Sequence, residues 1–390
     1  MYNILTLNKI SKTGLSLFGD GFTISPDHKN PEAIIVRSQK VDTDSFNNLL
    51  CVARAGAGYN NITVDKATPK GICVFNTPGA NANAVAELIF IALGCKARNI
   101  IESMRFANDL EGLDDSEISK QVEKEKSKFK GFELFNKNLS VLGLGKIGVK
   151  VANIGVSKGM NVLAFDPFIS LDNMHQLSSK VNIARSIEEL FSFGDIVTIH
   201  VALTETTKNL VSKNLFSKMR KGAVLLNYSR GAVVDNKACI KALDNGTLDS
   251  YITDFPTSEY IAHPKVLCTP HLGASTAESE DKCAIMAVDQ VKQYLLYGTI
   301  INSVNFPMIE IHPASNIKSR AIIIYKDQPG MISKITSIFG KYNINIESMR
   351  NESKEFIGYN ISDTKTELPQ GLVDELKTVP DVIRVRTIKF

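Results

Sequence analysis

The stretch Val141-Leu-Gly-Leu-Gly-Lys-Ile-Gly148 determines the predicted fold of the middle of the chain. It follows a short apolar strand and opens a helix, and the next apolar strand ends at Asp166. A lone G-x-G-x-x-G pattern is a weak signal, because glycine occurs in many turns. Here the strand, the glycines, the helix, the second strand and the acid all fall within one βαβ unit. This combination predicts a dinucleotide-binding domain.

The same residues predict which cofactor binds. Gly143 permits the tight turn, Gly145 lets the backbone approach a pyrophosphate, and Gly148 allows close packing of helix and sheet. The helix N-terminus offers free N–H groups and a partial positive charge to the phosphates. A carboxylate at Asp166 accepts hydrogen bonds from ribose hydroxyls and repels a 2′-phosphate, which favours NAD over NADP. The predicted cofactor contacts here are Gly143, Gly145, Lys146, Ile147, Gly148 and Asp166.

Hydrophobic patterning extends the α/β prediction beyond this unit. Short, almost wholly apolar strands alternate with helices over 139–276, as in a parallel sheet covered on both faces. Similar alternation occupies the first hundred or so residues. After a Pro- and Asn-containing linker at 302–316, the last seventy or so residues follow the order βαββαβ, which is the ferredoxin-like unit.

Composition excludes several classes of protein. The chain has 390 residues, 44% hydrophobic and 22% charged, which predicts two or three globular domains and excludes a disordered or fibrous chain. A net charge of +4 is too small to indicate nucleic acid or membrane partners, and interleaved Glu and Lys at 102–131 favour a solvated helix face. The six cysteines form no CxxC pair, and no signal-like or membrane-spanning apolar run occurs. We therefore expect a cytoplasmic protein.

Six further motifs extend along nearly the whole chain. They are RAGAGYNNI at 54–62, NTPGANANAVAE at 76–87, NYSRGAVVD at 227–235, TDFP at 253–256, TPHLGAST at 269–276 and NSVNFP at 302–307. With the glycine motif, they make the chain resemble the D-isomer-specific 2-hydroxyacid dehydrogenases, and its tail resembles an ACT regulatory domain. The resemblance implies an α/β fold with two doubly wound, Rossmann-like domains plus a C-terminal α+β ferredoxin-like ACT domain. The expected boundaries are 1–97 with 284–306 for substrate binding, 98–283 for NAD binding and 318–390 for ACT.

Oxidation of a 2-hydroxy acid needs a base for the hydroxyl proton, a cation for the carboxylate and an acceptor for the hydride. Arg230 suits the carboxylate, because a guanidinium forms two parallel hydrogen bonds with it. His271 suits the proton, because imidazole gains and loses protons near neutral pH. A third group in the family is an acid that orients the histidine. Glu259, five residues after Asp254, is our candidate; if Phe255-Pro256 sets the register, Ser258 takes that position instead.

The resemblance also assigns binding residues. Ser229 and Asp254 are expected to contact the cofactor, with Asp254 at the nicotinamide carboxamide. The substrate contacts are expected to be Arg54, Gly56, Ala57, Gly58 and Asn81, together with Arg230. For Arg37 a surface role and a substrate role both stay open. The spacing of His263, Cys268 and His271 fits no common zinc pattern, so no metal is expected.

Partners and alternatives follow from the same resemblance. We expect a small phosphorylated 2-hydroxy acid as substrate, in a cleft between the domains, and a homodimer or homotetramer. The ACT domain is expected to bind an amino-acid effector, although Tyr325 and Asp327 replace the residues of serine-inhibited relatives while Asn345 is retained. Two alternatives stay open: a dehydrogenase of glycerate, lactate or 2-hydroxyglutarate, or a NAD-sensing, corepressor-like binding protein.

Overall fold

The computed structural model describes the whole chain, Met1–Phe390, and divides into two compact units, 1–81 with 276–390 and 82–275. These boundaries differ from the expected ones at 97/98 and 283/284. The helix over 82–97 belongs to the second unit because Ile89 and Leu93 pack in the same core cluster as Val141. The residues from 276 belong to the first unit, since Val288 and Val291 are buried in its core.

The first unit begins with a five-stranded parallel sheet, in the order β2-β1-β3-β4-β5. Its strands are β1 (Tyr2–Leu7), β2 (Phe22–Ser25), β3 (Ala33–Val36), β4 (Cys51–Arg54) and β5 (Cys73–Phe75). Helices α1 (Lys12–Leu15) and α2 (Val64–Ala67) are short, and the long helix α12 (Ala277–Tyr297) belongs to the same unit. The apolar alternation of the first hundred residues therefore forms the predicted parallel layer.

The second unit is a doubly wound, seven-stranded parallel sheet in the order β12-β11-β10-β9-β6-β7-β8. Its strands are β6 (Asn138–Leu142), β7 (Asn161–Phe165), β8 (Asn182–Ile183), β9 (Ile196–Ile199), β10 (Ala223–Asn227), β11 (Leu248–Thr253) and β12 (Val266–Cys268). Its helices are α3 (Ala82–Ala97), α4 (Ile100–Asn108), α5 (Asp115–Glu125), α6 (Lys146–Ser157), α7 (Leu171–Gln176), α8 (Ile187–Phe193), α9 (Lys213–Phe216), α10 (Asn236–Asp244) and α11 (Ser258–Ala262).

The strand order reverses between β6 and β9. From β6 the strands are added toward one edge of the sheet, through β7 and β8, and from β9 they are added toward the opposite edge, through β10, β11 and β12. Ligands of doubly wound sheets bind at such a switch point, outside the carboxyl ends of the strands. Two apolar clusters, one containing Val141 and the other Leu142, cover the two faces of the sheet. The predicted doubly wound fold is confirmed, and it places the glycine turn at the carboxyl end of β6.

The C-terminal region of the first unit begins after α12 (Ala277–Tyr297). Its elements are β13 (Ser319–Lys326), α13 (Met331–Lys341), β14 (Ser348–Lys354), β15 (Ile357–Thr364), α14 (Gln370–Thr378) and β16 (Val382–Lys389). The order βαββαβ agrees with the prediction, and the sheet is antiparallel in the order β14-β15-β13-β16.

This C-terminal sheet shares a core with the helix that precedes it. Ile322 and Ile361 belong to the same buried cluster as Val288 and Val291 of α12. Polar contacts reinforce the packing, because the Tyr359 hydroxyl donates to the Gly298 carbonyl at 2.8 Å and Arg386 Nη2 donates to the Tyr294 carbonyl at 2.6 Å. The tail therefore packs as part of the first unit.

No helix in the structure is both long and apolar enough to cross a bilayer.

Candidate active site and dinucleotide-binding turn

The glycine turn has the geometry that its sequence predicts. Gly143 has φ of 92°, and a side chain there would meet the backbone of His200 at 2.8 Å. A Cβ on Gly148 would lie 1.9 Å from the Gly143 carbonyl oxygen, so only glycine lets the helix approach the turn this closely. Gly145 precedes α6, and nothing lies within 4 Å of its would-be Cβ. The turn therefore leaves open backbone at the start of α6, where Lys146 and Ile147 form the first helical residues.

Asp166 closes the turn from the neighbouring strand. Its Oδ2 accepts the Leu144 N–H at 2.7 Å, and its Oδ1 accepts the Phe168 N–H at 2.8 Å. A carboxylate oxygen has more than one acceptor site, so each can also accept from a ligand hydroxyl. The carboxylate is therefore fixed beside the glycine loop, as a ribose-binding role requires.

His200 also lies beside this turn, and no role is predicted for it from the sequence. It follows β9, its Nε2 lies 2.9 Å from the Thr198 hydroxyl, and its buried Nδ1 has no hydrogen-bond partner. Burial lowers the pKa of this imidazole to about 3, so it is neutral at physiological pH. His200 could have been identified from its position in the sequence, because it directly follows a buried strand, β9, which pairs with the strand that leads into the glycine turn.

Arg230 is positioned by a hydrogen-bonded loop at the carboxyl end of β10. The fully buried Asn227 donates through Nδ2 to the Arg230 carbonyl at 3.0 Å and accepts the Ser229 hydroxyl on Oδ1 at 2.8 Å. Arg230 Nη1 donates to the Ser229 carbonyl at 2.7 Å, and its side chain is partly exposed. Asn227 is the first residue of the motif at 227–235, and the sequence predicts no role for it. The structure identifies it as the residue that shapes this loop.

His271 lies on an exposed turn after β12. Its backbone has φ of 53°, which is uncommon for a residue with a side chain, and its N–H donates to the Thr269 carbonyl at 3.0 Å. The imidazole packs edge-on against the Phe255 ring, with centroids 5.1 Å apart. This contact holds the ring next to the end of β11, where Asp254 lies.

Asp254 is a buried carboxylate near His271, directly before the Phe255 whose ring packs on the imidazole. It is 3% exposed, and its Oδ1 has no hydrogen-bond partner. Burial raises the pKa of Asp254, and the nearby positive charge of His271, then the Gly273 backbone and Arg230, oppose that rise. Arg230, His271 and the buried Asp254 carboxylate therefore lie near one another at the carboxyl edge of the sheet.

Glu259 does not join this group. It is an exposed residue in the first turn of α11 and lines a surface pocket with Lys237 and His263. No ion pair links it to His271. Ser258, the alternative at that position, is also exposed, as the first residue of α11. The role of Glu259 as the acid that orients His271 therefore stays a prediction, since α11 carries this residue toward α10 while Asp254 lies at the strand end.

The expected substrate contacts of the first unit lie at the carboxyl edge of its own sheet. Arg54 ends β4 and donates through Nε to the Arg37 carbonyl at 2.9 Å. In the following turn, the Gly56 N–H donates to the Arg54 carbonyl at 2.8 Å, and the Ala57 carbonyl accepts from Asn76. The buried Oδ1 of Asn81 has no hydrogen-bond partner. The remaining member of the set is Gly58, which is partly exposed in the same turn.

Arg37 has a partner on its own unit. Its Nη1 lies 2.7 Å from Glu280 Oε1, and both side chains are about one-third exposed at 34% and 39%. An exposed ion pair of this kind contributes at most about 1 kcal/mol to stability. The surface interpretation of Arg37 is the one that this contact favours.

The C-terminal region also contains a pocket, at the turn before α13. It is lined by Tyr325, Asp327, Gln328, Pro329, Gly330, Met331, Ile332 and Asn351. The Tyr325 hydroxyl donates to Asn351 Oδ1 at 2.7 Å, and burial raises the pKa of that hydroxyl. Asn345 is not part of the lining, because its side chain donates to Glu347 Oε1 at 2.8 Å on the surface. The expected effector residues are therefore only partly brought together.

The residues present fit a dinucleotide. An open helix N-terminus, a carboxylate on the adjacent strand and an unpartnered, buried carboxylate oxygen all lie at the carboxyl edge of one parallel sheet. This fold and site define a dinucleotide-binding α/β protein of the oxidoreductase type.

Comparison with known proteins narrows the class. Residues 102–273 match the model described as D-isomer specific 2-hydroxyacid dehydrogenase, NAD binding domain, and residues 319–354 match the ACT domain. The chain is 31% identical to D-3-phosphoglycerate dehydrogenase of Haemophilus influenzae, over 87% of this chain and 81% of that protein. It is 33% identical to D-3-phosphoglycerate dehydrogenase of Bacillus subtilis, over 82% of this chain and 62% of that protein.

A solved structure agrees with these relatives. The NAD⁺-bound 3-phosphoglycerate dehydrogenase of Entamoeba histolytica matches with a TM-score of 0.63 and 26% identity, over 79% of this chain and 99% of that chain. The chain belongs to the D-isomer-specific 2-hydroxyacid dehydrogenase family and carries a C-terminal ACT domain. The predicted family is confirmed. The chain spans less than two thirds of the length of several curated relatives that it matches, including the Bacillus subtilis protein.

Proposed function

We propose that the protein oxidises 3-phospho-D-glycerate to 3-phosphohydroxypyruvate with NAD, the first step of L-serine biosynthesis. The observation that carries this proposal is the grouping of Arg230, Asp254 and His271 at the carboxyl edge of the sheet that bears the glycine turn. Two relatives named D-3-phosphoglycerate dehydrogenase support the substrate. Arg230 and His271 together with the ACT domain favour an enzyme over a corepressor-like binding protein.

The residues of the chain divide the chemistry among them. His271 takes the proton of the substrate hydroxyl onto a ring nitrogen, and in the reverse direction it returns that proton to the oxygen. Arg230 binds the substrate carboxylate and stabilises negative charge on the reacting oxygen. When bound, NAD supplies the acceptor for the hydride from the substrate carbon.

Asp254 takes the role expected of Glu259 in this proposal. Its buried carboxylate lies near the imidazole and stabilises the imidazolium that forms when His271 holds the proton. Its unpartnered Oδ1 is available to the nicotinamide carboxamide, which is the contact expected for it from the family. One carboxylate therefore serves both the histidine and the cofactor.

Cofactor contacts are proposed at Gly143, Gly145, Lys146, Ile147 and Gly148 for the phosphates, and at Asp166 and Ser229 for the sugar and nicotinamide portions. The first unit supplies the substrate contacts: Arg54 for the phosphate end, the backbone of Gly56, Ala57 and Gly58 for the carboxylate, and Asn81. The open N-terminus of α6 and the Asp166 carboxylate beside it support NAD rather than NADP.

A substrate panel tests the proposed function. Steady-state NADH oxidation is measured with 3-phosphohydroxypyruvate, hydroxypyruvate, 2-oxoglutarate and pyruvate. We expect kcat/KM to be highest for the phosphorylated substrate. A higher value for 2-oxoglutarate or pyruvate would identify a different D-2-hydroxyacid dehydrogenase, and absence of turnover with all four would favour the NAD-sensing alternative.

A homodimer is proposed from the surface of the second unit. Helices α4 and α5 bury no residue, yet α4 exposes Ile101 and Met104, at 36% and 61%. Exposed apolar side chains on an amphipathic helix pair are typical of an interface. Met104→Glu should convert a dimer to a monomer, as measured by light scattering at micromolar protein concentration. Val122→Glu on α5, measured in the same way, tests whether the second helix also belongs to the interface.

We also propose that the protein is cytoplasmic, because its six cysteines are all free, as is usual in a reducing compartment. An amino-acid effector at the pocket before α13 is proposed as the ACT ligand. The Asp327 carboxylate is the group that would bind its ammonium.

A further inference from the structure

The second unit contains a cavity at the edge of the sheet opposite to the glycine turn. Its volume is about 500 Å³, within the range of small-molecule sites. It lies where β6, β9 and β10 begin, and its lining includes Lys137, Ile196 and Ala223 next to or at those strand starts. The glycine turn follows the carboxyl end of β6, so a ligand here cannot be the dinucleotide held by that turn.

Basic side chains dominate the lining. The cationic residues are Lys96, Lys130, Lys137, Arg220 and Lys221, and the acidic residues are Asp195 and Asp249. Both acids are already paired, since Lys96 Nζ lies 3.0 Å from Asp249 Oδ2 and Arg220 Nη1 lies 3.0 Å from Asp195 Oδ1. Three lysines, at 130, 137 and 221, therefore remain without a carboxylate partner.

The walls of the cavity are fixed by contacts outside it. Asp195 also accepts the Asn138 N–H on Oδ2 at 2.9 Å, and Arg220 Nε donates to the Ser192 carbonyl at 3.3 Å. Lys137 extends over the Phe132 ring at 5.7 Å, and the Phe132 N–H donates to the Ala97 carbonyl at 2.8 Å. Lys96, Lys137 and Arg220 are therefore held around the cavity by contacts of their own, which lowers the cost of binding a ligand there.

We propose that this cavity binds a compact anion with two or more phosphoryl groups. Three positive charges in excess match the charge of a diphosphate near neutral pH, whereas a single phosphate leaves part of the excess uncompensated. Lysine ammonium groups bind phosphoryl oxygens as point charges and need no fixed bidentate geometry. The proposal does not rest on the dehydrogenase function, because none of the lining residues belongs to the site described above.

Isothermal titration calorimetry with inorganic pyrophosphate tests the proposal on the full chain. NADH is kept in excess to occupy the glycine turn, and ionic strength is held constant because exposed charges are screened by salt. We expect one saturable site per chain. Titrations with inorganic phosphate and with ATP distinguish the sources: tight ATP binding identifies a nucleoside polyphosphate, and pyrophosphate binding alone identifies a smaller diphosphate.

Variants locate the binding. Lys137→Gln and Lys221→Gln should each weaken pyrophosphate binding about tenfold, as expected for loss of a charge-assisted contact worth ~1.4 kcal/mol. Lys180→Gln is the matched control, because Lys180 is an exposed lysine of the same unit outside the cavity. Thermal unfolding and the NADH assay should be unchanged in all three variants.

Three results would overturn the proposal. They are no binding of pyrophosphate to the wild-type chain, equal binding by wild type and both cavity variants, and inorganic phosphate binding as tightly as pyrophosphate. A cavity covered by a second copy of the chain would give the first of these results. Failure of the dehydrogenase assay with intact pyrophosphate binding would contradict only the proposed function.

Discussion

The carboxyl edge of the seven-stranded sheet and the pocket before α13 are both candidate ligand sites. They differ in whether their polar atoms already have hydrogen-bond partners. At the sheet edge, Asp254 Oδ1 and His200 Nδ1 are buried without a hydrogen-bond partner. In the pocket, Asn351 Oδ1 accepts from the Tyr325 hydroxyl at 2.7 Å and from Asn360 Nδ2 at 3.2 Å. A ligand supplies missing partners at the first site and competes with existing ones at the second.

Packing explains why Tyr325 is held in that arrangement. Its ring lies against Gly358 of the neighbouring strand, where a Cβ would be 2.4 Å from the ring atoms. The side chain is 1% exposed, so it is part of the core under α13. An unpaired buried polar group costs about 1–3 kcal/mol, and such groups lie at the sheet edge but not at Tyr325 or Asn351. We therefore expect strong ligand dependence at the sheet edge and weak dependence in the pocket.

The largest expected effect is at His271. His271→Asn should lower kcat by roughly two to four orders of magnitude, because the substrate hydroxyl loses its base. NADH affinity, measured by fluorescence titration, should stay nearly unchanged. His263→Asn is a suitable control, since His263 lies near Asp244 in the pocket that Glu259 lines. A wild-type kcat in His271→Asn would remove this residue from the mechanism.

The second-largest effect distinguishes the roles of Asp254 and Glu259, two carboxylates that lie five positions apart in the sequence. Asp254→Asn should lower kcat/KM by about two orders of magnitude, because the imidazolium loses the buried charge near it. Glu259→Gln should leave kcat/KM and its pH profile within roughly twofold of wild type. A displaced profile in Glu259→Gln with a normal one in Asp254→Asn would restore the assignment made from sequence.

Stability should change in the opposite direction to activity in Asp254→Asn. Burial raises the pKa of Asp254 in the folded protein, so folding favours the protonated form. That contribution is fully present below the unfolded-state pKa of about 3.9 and is lost as pH rises through the raised folded value. Asparagine avoids the buried charge, so the variant should melt at a higher temperature than wild type at pH 7, and the difference should shrink toward pH 4. A lower melting temperature at pH 7 would contradict this interpretation.

A smaller effect is expected in cofactor choice. Asp166→Asn keeps an oxygen that can accept the Leu144 N–H and removes the negative charge, so the preference for NADH over NADPH should fall by roughly tenfold. The ratio of kcat/KM values for the two cofactors measures it. Asp172→Asn on α7 is a control, because it removes a carboxylate of the same unit outside the turn. Wild-type protein that already uses both cofactors equally would refute the assignment.

The smallest effect is expected from serine. Because Tyr325 and Asn351 already bond to each other and Asn345 lies outside the pocket, serine should inhibit weakly or not at all. Serine is titrated into the NADH assay up to millimolar concentration. Complete inhibition at micromolar serine would show that the pocket opens for a ligand despite its internal hydrogen bonds, and would remove the contrast between the two sites.

Several elements were predictable because their determinants are close in sequence. The order βαββαβ of the C-terminal region and the parallel strands of the second unit follow from apolar runs and their spacing. The position of the domain boundary was less predictable: helix 82–97 has apolar residues on most of its surface, so its sequence does not indicate which core it joins. The structure assigns it through Ile89 and Leu93, which pack with Val141.

The sequence by itself determined the dinucleotide turn, the acid beside it and the candidate histidine. The reason is that each of these features depends on its immediate neighbours in the chain. The glycines lie where the backbone must approach closely, and the other residues lie where a strand ends. Only the tertiary structure showed that Asp254 is buried at the strand end near His271 while Glu259 is exposed, because a helix beginning at Ser258 carries the later residue away from the strand end. The cavity at the opposite edge of the sheet, which is lined by lysines, could also be identified only from the tertiary structure. Its cations come from separate segments that the parallel sheet brings to one edge, and electrostatic potential depends on distance in space rather than on separation along the chain.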